Sequence, residues 1–440
     1  MGDLSVEVTE KQVNRQGKGP FQRILRTIGP GFITGASDDD PSGIGTYSQA
    51  GAQLGFDIGW TLLFTFPLMA AIQEIAARIG RTTGRGISGN LCRHYPAALM
   101  NFVVVLLFVA NTINIGADLS AMAEALRLLV GGPSSLYVVG FGLASIGAIV
   151  FLDYSRYVTI LKWSTLSLFA YVAAAFMAHV PWGEALKGIV VPRLEWNGSY
   201  LTTLVAILGT TISPYLFFWQ SSQEVQEEKV DPTAKPLKWA PWQASSAFRR
   251  IRADTLVGMA FSNLIAIAIV VTTAATLHRA GVTDVNSATD AAKALEPVAG
   301  KFAFMLFAMG IIGTGLLAVP VLAGSAAFAV GEACRWPVGL ERKPKDAISF
   351  YATLAAATVL GMGIMFTPID PIKALYWSAV INGICAVPVM VVMMLMTGRS
   401  EIMGEFPVQG WLRTLGWLAT VAMALSVLGL AVQWIIPSGT

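Results

Sequence analysis

The chain alternates between long apolar runs and short polar stretches. A helix that spans a bilayer needs about 20 mainly apolar residues. Eleven runs reach that length: 29–50, 56–79, 98–130, 135–153, 157–180, 199–222, 252–276, 302–332, 347–367, 371–397 and 411–436. The pattern predicts an all-α integral membrane protein with eleven transmembrane helices. The third and eighth runs are long, so they are expected to tilt or protrude. The first and sixth are the least regular, because polar residues interrupt them. Residues 1–28 are polar and basic and read as a retained cytoplasmic tail, followed by a single transmembrane unit over 29–440. The tail is too long for the n-region of a signal peptide, and the run behind it carries acids instead of a cleavage site.

Charge tests this map, because Lys and Arg collect on the cytoplasmic side of multi-span proteins. With the N-terminus inside and the loops alternating, 23 of the 30 Lys and Arg fall on the cytoplasmic side. They include Arg78, Arg81, Arg85 and Arg93 between the second and third runs, and Arg249, Arg250 and Arg252 at the start of the seventh. An odd number of spans then puts the C-terminus outside. The stretch 223–251 reads as a long solvated cytoplasmic loop, and 277–301 as an outer polar segment with a short surface helix. No stretch is left for a soluble catalytic domain.

Composition agrees. Charged residues make up 13% of the chain, against about a quarter in a soluble protein. A net charge of +3 gives no reason to expect a nucleic-acid partner; the lipid bilayer is the partner the pattern implies. Cys92, Cys334 and Cys385 are far apart, which excludes a CxxC thiolate site. His94, His179 and His278 lie near the ends of runs and lack metal-ligand spacing.

The chemistry concentrates where the apolar runs break. Asp38, Asp39 and Asp40 stand together inside the first run, followed by Pro41, Ser42 and Gly43. An acid at the centre of a span costs about 2.5–3.5 kcal/mol on insertion scales. Pro removes a backbone donor and Gly tolerates unusual dihedrals, so the helix should unwind there. Unwound backbone at that depth is tolerated only when it is buried or lines a cavity. Freed carbonyls and a carboxylate form a set of hard oxygen ligands suited to a cation. The plainer reading is a helix end capped by Asp. The sixth run carries a matching break, Gly209-Thr210-Thr211-Ile212-Ser213-Pro214-Tyr215. A lone Pro is often only a kink, but paired interruptions in two halves of a transporter point to its binding site.

Other polar residues fall in or near the spans. Asn111, Asn114 and Asp118 share one helical face of the third run, either along a pathway or packed on the first helix. Asn382 in the tenth run either reaches the centre or makes an interhelical hydrogen bond. Glu224, Glu227 and Glu228 follow the sixth run and either gather cations at the inner mouth or end a solvated helix. Gln73 and Glu74 are expected near the inner side, with Glu74 one turn from Arg78.

These motifs resemble a known family. Gly29-Pro30-Gly31-Phe32, Asp40-Pro41-Ser42-Gly43 and Gln49-Ala50-Gly51-Ala52-Gln53 are similar to the first helix of the NRAMP divalent-metal transporters. Ala77-Arg78-Ile79-Gly80, Thr83-Gly84 and Ala117-Asp118-Leu119 extend the match. The resemblance implies a LeuT-type fold of two inverted five-helix repeats with the eleventh helix peripheral. It also implies a metal held at the breaks of helices 1 and 6, here by Asp40, Gly43, Thr210, Ser213 and Tyr215; Asp38 and Asp39 are left without an assigned role, the approach to the site being one open to them.

The departures matter as much. The family's Asp-Pro-Gly-Asn is Asp40-Pro41-Ser42-Gly43 here, and its methionine-proline-histidine is Ser213-Pro214-Tyr215. Losing the soft thioether removes a preference for transition metals. A harder, wider site suits Mg²⁺, which keeps several waters when bound. The chain is most similar to the NRAMP-related magnesium transporters, with Mn²⁺ as second ion; either ion would be cargo and no cofactor is expected. Tyr215, with an ordinary pKa near 10, is a poor proton relay, and the acid expected near Asp118 is Ala121. Transport is therefore expected to be uncoupled from protons. The alternatives are a proton-coupled Mn²⁺/Fe²⁺ importer, an organic-substrate carrier that three aspartates would disfavour, and an intramembrane prenyltransferase that lacks its second aspartate-rich motif. A bacterial plasma membrane is the expected location.

Overall fold

The computed structural model describes residues 34–35, 37–151, 169–285, 287–296 and 300–435. Among them no strand occurs. After the first break comes α1 (Pro41–Leu54), followed by α2 (Trp60–Thr83), α3 (Ile87–His94), α4 (Ala97–Val130) and α5 (Ser134–Phe151). Then follow α6 (Phe169–Met177), α7 (Trp182–Val190), α8 (Gly198–Thr211), α9 (Pro214–Val230), α10 (Ala244–Thr273) and α11 (Ala288–Lys293). The chain continues through α12 (Ala303–Ala333), α13 (Ile348–Met362), α14 (Pro371–Thr397), α15 (Ser400–Met403) and α16 (Gly410–Ile435).

Eight stretches among the described residues are long and apolar enough to cross a membrane. They match the second, third, fourth, sixth, seventh, eighth, tenth and eleventh runs. The first run is divided by its break. Of the fifth, 157–168 lie outside the described residues and the helix runs over Phe169–Met177. The ninth is the shorter α13, which ends in a tight turn at Gly363–Phe366.

The outer faces suit lipid. Leu63, Phe64, Phe102, Val105, Leu136 and Leu143 are exposed on the long helices, an arrangement water would penalise. Exposed Trp239, Trp242 and Trp411 lie at one end of the spans, and Trp182, Trp196 and Trp434 at the other. Trp is enriched at both membrane–water interfaces.

Inside, α8 and α14 touch backbone to backbone. A Cβ on Gly209 would sit 2.0 Å from Ala379 O and 2.5 Å from Gly383 N, so only glycine fits. Asp370 caps α14 by accepting from Ile372 N at 2.9 Å, with Pro371 in the first turn, where its missing N–H costs nothing. The end of α12 is less usual. Trp336 N bonds Gly331 O at 2.8 Å and Arg335 N bonds Glu332 O at 3.2 Å, the paired bonds of a Schellman motif. Its left-handed position, normally glycine, is Arg335 with φ 59°.

Two loop expectations are corrected. The stretch 223–251 is mostly helix, since α9 runs to Val230 and α10 starts at Ala244. Its connection is not solvated throughout: Leu237 is fully buried, and Leu237 N and Lys238 N bond Arg81 O and Thr82 O at 3.2 and 3.1 Å. Backbone donors satisfied by the end of α2 let that loop tuck inward. The segment 277–301 does contain a short helix, α11, but its Ala291 and Ala292 are buried, and Val285 N bonds Gln49 Oε1 at 2.8 Å.

Candidate cation site at two interrupted helices

Asp40 is where α1 begins. Its backbone is extended (φ −70°, ψ 171°), Pro41 takes the first helical position, and Oδ1 accepts from Gly43 N at 2.7 Å. The capping alternative and the break are thus one feature: the cap is formed at a fully buried position, where Asp40 is 2% exposed. Oδ2 accepts from Asn114 Nδ2 at 3.1 Å and from the Tyr215 hydroxyl at 3.2 Å. A carboxylate offers about four acceptor positions, and Ser42 N also approaches this one, so a cation would share its oxygens with these donors.

The second break forms between α8 and α9. Pro214 has no N–H to give Thr210 O, and Ser213 Oγ replaces it, donating toward Thr210 O at 2.9 Å and Gly209 O at 2.8 Å. Ser213 therefore mends the helix end with its proton and keeps only lone pairs for a cation. Tyr215 begins α9, and its hydroxyl also approaches Ser37 O at 3.0 Å, on the other side of the first break. Thr210 closes the gap from α8: a Cβ on Gly43 would lie 3.3 Å from Thr210 Oγ1 and 3.3 Å from Asp38 O. Asp40, Gly43, Thr210, Ser213 and Tyr215 thus occupy one region.

The flanking residues divide. Asn114 reaches Asp40, whereas Asn111, three residues earlier, donates to Leu322 O at 2.9 Å and ties α4 to α12. Asp118 is fully buried with neither oxygen hydrogen-bonded. Asn382 is buried with an unpartnered Oδ1. Asp38 and Asp39 turn away from Asp40's partners toward α10, where Ser262 Oγ lies 2.6 Å from Asp38 Oδ2 and 3.2 Å from Asp39 Oδ1. One hydroxyl carries one hydrogen, so it can donate to only one of them at a time.

Both readings of Glu224 need correcting. It is fully buried and pairs with Arg250 at 2.5 Å, so it neither ends a solvated helix nor presents a free charge at a mouth. Glu227 is exposed and shares the same Arg250 at 2.6 Å. An arginine contributed by α10 pairs with both, a contact the sequence order conceals. Glu74 pairs with Arg78 at 2.5 Å as expected, and also lies 3.4 Å from Arg252.

Sequence reasoning missed several hydroxyls. Ser262 receives two acids, Ser325 Oγ donates to Tyr215 O at 2.8 Å, and Ser378 Oγ bonds Ser42 Oγ at 3.2 Å, linking α14 to the break. Gln73 Nε2 donates to Leu216 O at 3.0 Å near the start of α9. The adjacent polar pair Ser262-Asn263 inside an apolar run was a usable signal, by the same cost argument applied to the aspartates.

Among the described residues no three His, Cys, Asp or Glu side chains converge as a metal cluster. A cation at Asp40 would meet a carboxylate with neutral hydrogen-bond partners, and the carboxylates of Asp38, Asp39 and Asp118 lie near enough to act on it. The hydrogen-bond partners of Asp40 are an amide, a phenol and a backbone N–H, with no sulfur or imidazole among them.

The family model described as Nramp, natural resistance-associated macrophage protein-like, matches residues 31–433. The chain belongs to the Nramp family. The "Divalent metal cation transporter MntH" of Klebsiella pneumoniae subsp. pneumoniae is 25% identical over 430 residues, covering 96% of this chain and 97% of its own. That of Deinococcus radiodurans is 26% identical, covering 93% and 90%. The manganese transporter of Eremococcus coleocola, solved with an aromatic bis-isothiourea compound, superposes with a TM-score of 0.69 at 17% identity, covering 97% of this chain and 90% of the other. Mhp1, a nucleobase-cation-symport-1 family transporter, shares the fold with a TM-score of 0.54 at 14% identity, each chain 94% covered. The LeuT-type architecture is thus the one found, and Nramp membership removes the prenyltransferase reading.

Proposed function

We propose that this Nramp chain carries divalent metal cations across the bacterial plasma membrane, with Mg²⁺ preferred, Mn²⁺ also carried, no proton coupling, and the N-terminus in the cytoplasm. The observation that carries the reading is Asp40, a buried carboxylate between two helix breaks whose hydrogen-bond partners are all neutral. A carboxylate whose oxygens are shared with neutral donors suits an ion that keeps part of its water shell, as Mg²⁺ does. The names of the Klebsiella and Deinococcus relatives support the divalent-metal class. Serine in place of the family's methionine supports the harder ion.

Proteoliposome uptake tests the preference. Excess Mg²⁺ should suppress Mn²⁺ uptake at concentrations similar to those at which Mg²⁺ itself is carried. Mn²⁺ uptake indifferent to Mg²⁺ discards the preference and leaves the divalent-metal class standing.

One observation favours a second reading, a proton-coupled Mn²⁺/Fe²⁺ importer. Asp118 keeps a buried carboxylate that only Ser42 N approaches, near enough to Asp40 for the two charges to interact. A pH-sensitive dye inside the vesicles separates the two: acidification that follows the metal selects the coupled reading.

A further inference from the structure

Away from the helix breaks, a cavity of about 540 Å³ opens at the arginine-rich end of the molecule, between α3, α9 and the end of α12. Small-molecule sites typically occupy about 300–1,000 Å³. Arg85, Arg93, Lys229 and Arg335 line it, and among the described residues none of the four has an ion-pair partner. Arg85 and Arg93 oppose each other: partial burial first, and then the Arg93 charge, push the Arg85 pKa below its ordinary value. Glu332 and Glu228 act on Lys229, but the three arginines form no ion pair among the described residues and repel one another unless an anion joins them.

The one carboxylate on the wall acts on Lys229 but pairs with none of the arginines. Glu332 accepts from Gly89 N at 2.9 Å and from Ser222 Oγ at 3.3 Å, so its charge is turned into the start of α3 and toward α9. The backbone gives an independent sign. Arg335 occupies the left-handed Schellman position where glycine is the unstrained choice. Strained backbone of this kind clusters at ligand-holding sites. Here it sets a guanidinium and the half-exposed indole of Trp336 on the cavity rim.

We infer that this cavity binds a phosphate-bearing anion, with Arg85, Arg93, Lys229 and Arg335 converging on the phosphate oxygens. Guanidinium groups suit phosphate because their N–H forks pair with two oxygens at once. The phosphate belongs either to a soluble molecule, with Trp336 covering an attached ring, or to an anionic lipid headgroup at the membrane surface. An occupant bears on α9, which carries Lys229 at this end and Tyr215 at the cation site.

The test uses the purified full-length chain in EDTA, so that binding of divalent cations does not enter. Pyrophosphate and ADP are titrated by calorimetry against protein in neutral detergent. The lipid arm compares nanodiscs of phosphatidylcholine alone with nanodiscs containing phosphatidylglycerol. Both arms also read alkylation of Cys92, which lines the cavity, in a Cys334→Ser background; Cys385 is buried.

Saturable binding that slows Cys92 alkylation is expected in at least one arm, and which arm responds identifies the source. Affinity should fall about tenfold or more in Arg85→Gln/Arg335→Gln and rise several-fold in Glu332→Gln, which keeps an acceptor oxygen but loses the negative charge. The rise cannot come from misfolding. Absence of saturable binding in both arms, binding that leaves Cys92 alkylation unchanged, or affinities equal across the variants would overturn the inference.

Discussion

Tyr215 on α9 donates to Asp40 Oδ2 at 3.2 Å, joining the two interrupted segments of the chain directly. The residues are 175 positions apart, and each stands at the start of a helix whose first residue is proline. The phenol approaches Ser37 O as well, so it spans the first break. A histidine there would titrate near neutrality; a phenol stays protonated and serves as a fixed donor.

Asp40→Asn isolates the charge. Asn caps a helix as well as Asp does, so α1 should still start at Pro41 and the protein should remain folded. Uptake of Mg²⁺ and Mn²⁺ into proteoliposomes should fall at least about tenfold, at least ~1.4 kcal/mol of ion stabilisation. Wild-type uptake in the variant would remove Asp40 from the site.

Ser213→Met places a thioether at the second break. Thiophilic ions gain and Mg²⁺ does not, so the ratio of Mn²⁺ or Cd²⁺ uptake to Mg²⁺ uptake should rise several-fold. The substitution also removes the hydroxyl bonds to Gly209 O and Thr210 O, costing about 1 kcal/mol of stability. An unchanged ratio in a folded variant would place Ser213 outside the ion's reach.

A phenol at position 215 adds no titration between about pH 6 and pH 8, far below its ordinary pKa, so Tyr215→Phe should leave the shape of the pH profile of uptake unchanged. A dye inside the vesicles should report no acidification when metal enters. Acidification in step with metal would overturn the uncoupled reading.

Ser262→Ala removes the hydroxyl that lies against both Asp38 and Asp39. Buried acceptors left without a donor cost about 1–3 kcal/mol. Thermal unfolding in detergent should show a lowered midpoint, and a midpoint equal to wild type would mean that the two acids have other support.

Gly209→Ala drives a methyl group into the backbone of α14. Overpacking of this sort costs about 1–3 kcal/mol, occasionally more. Gly140→Ala on α5 meets nothing within 4 Å and should be neutral or stabilising by up to about 1 kcal/mol. Equal midpoints for the two variants would contradict the close approach of α8 and α14.

The sequence by itself determined most of the spanning helices and where two of them fail. Apolar runs of bilayer length state their solvent, and Asp40-Pro41 and Ser213-Pro214 interrupt them because proline withholds a backbone donor at any site. Both signals are local. Tertiary structure alone decided which groups meet: that Asn114 but not Asn111 reaches Asp40, that Ser262 receives Asp38 and Asp39, and that Arg250 pairs with Glu224. Helical spacing places Asn111 and Asn114 on one face, but it does not say which neighbouring helix lies opposite each. A charge's role depends on the partner brought to it by packing, and partners separated by tens or hundreds of residues leave no periodic trace in a single chain.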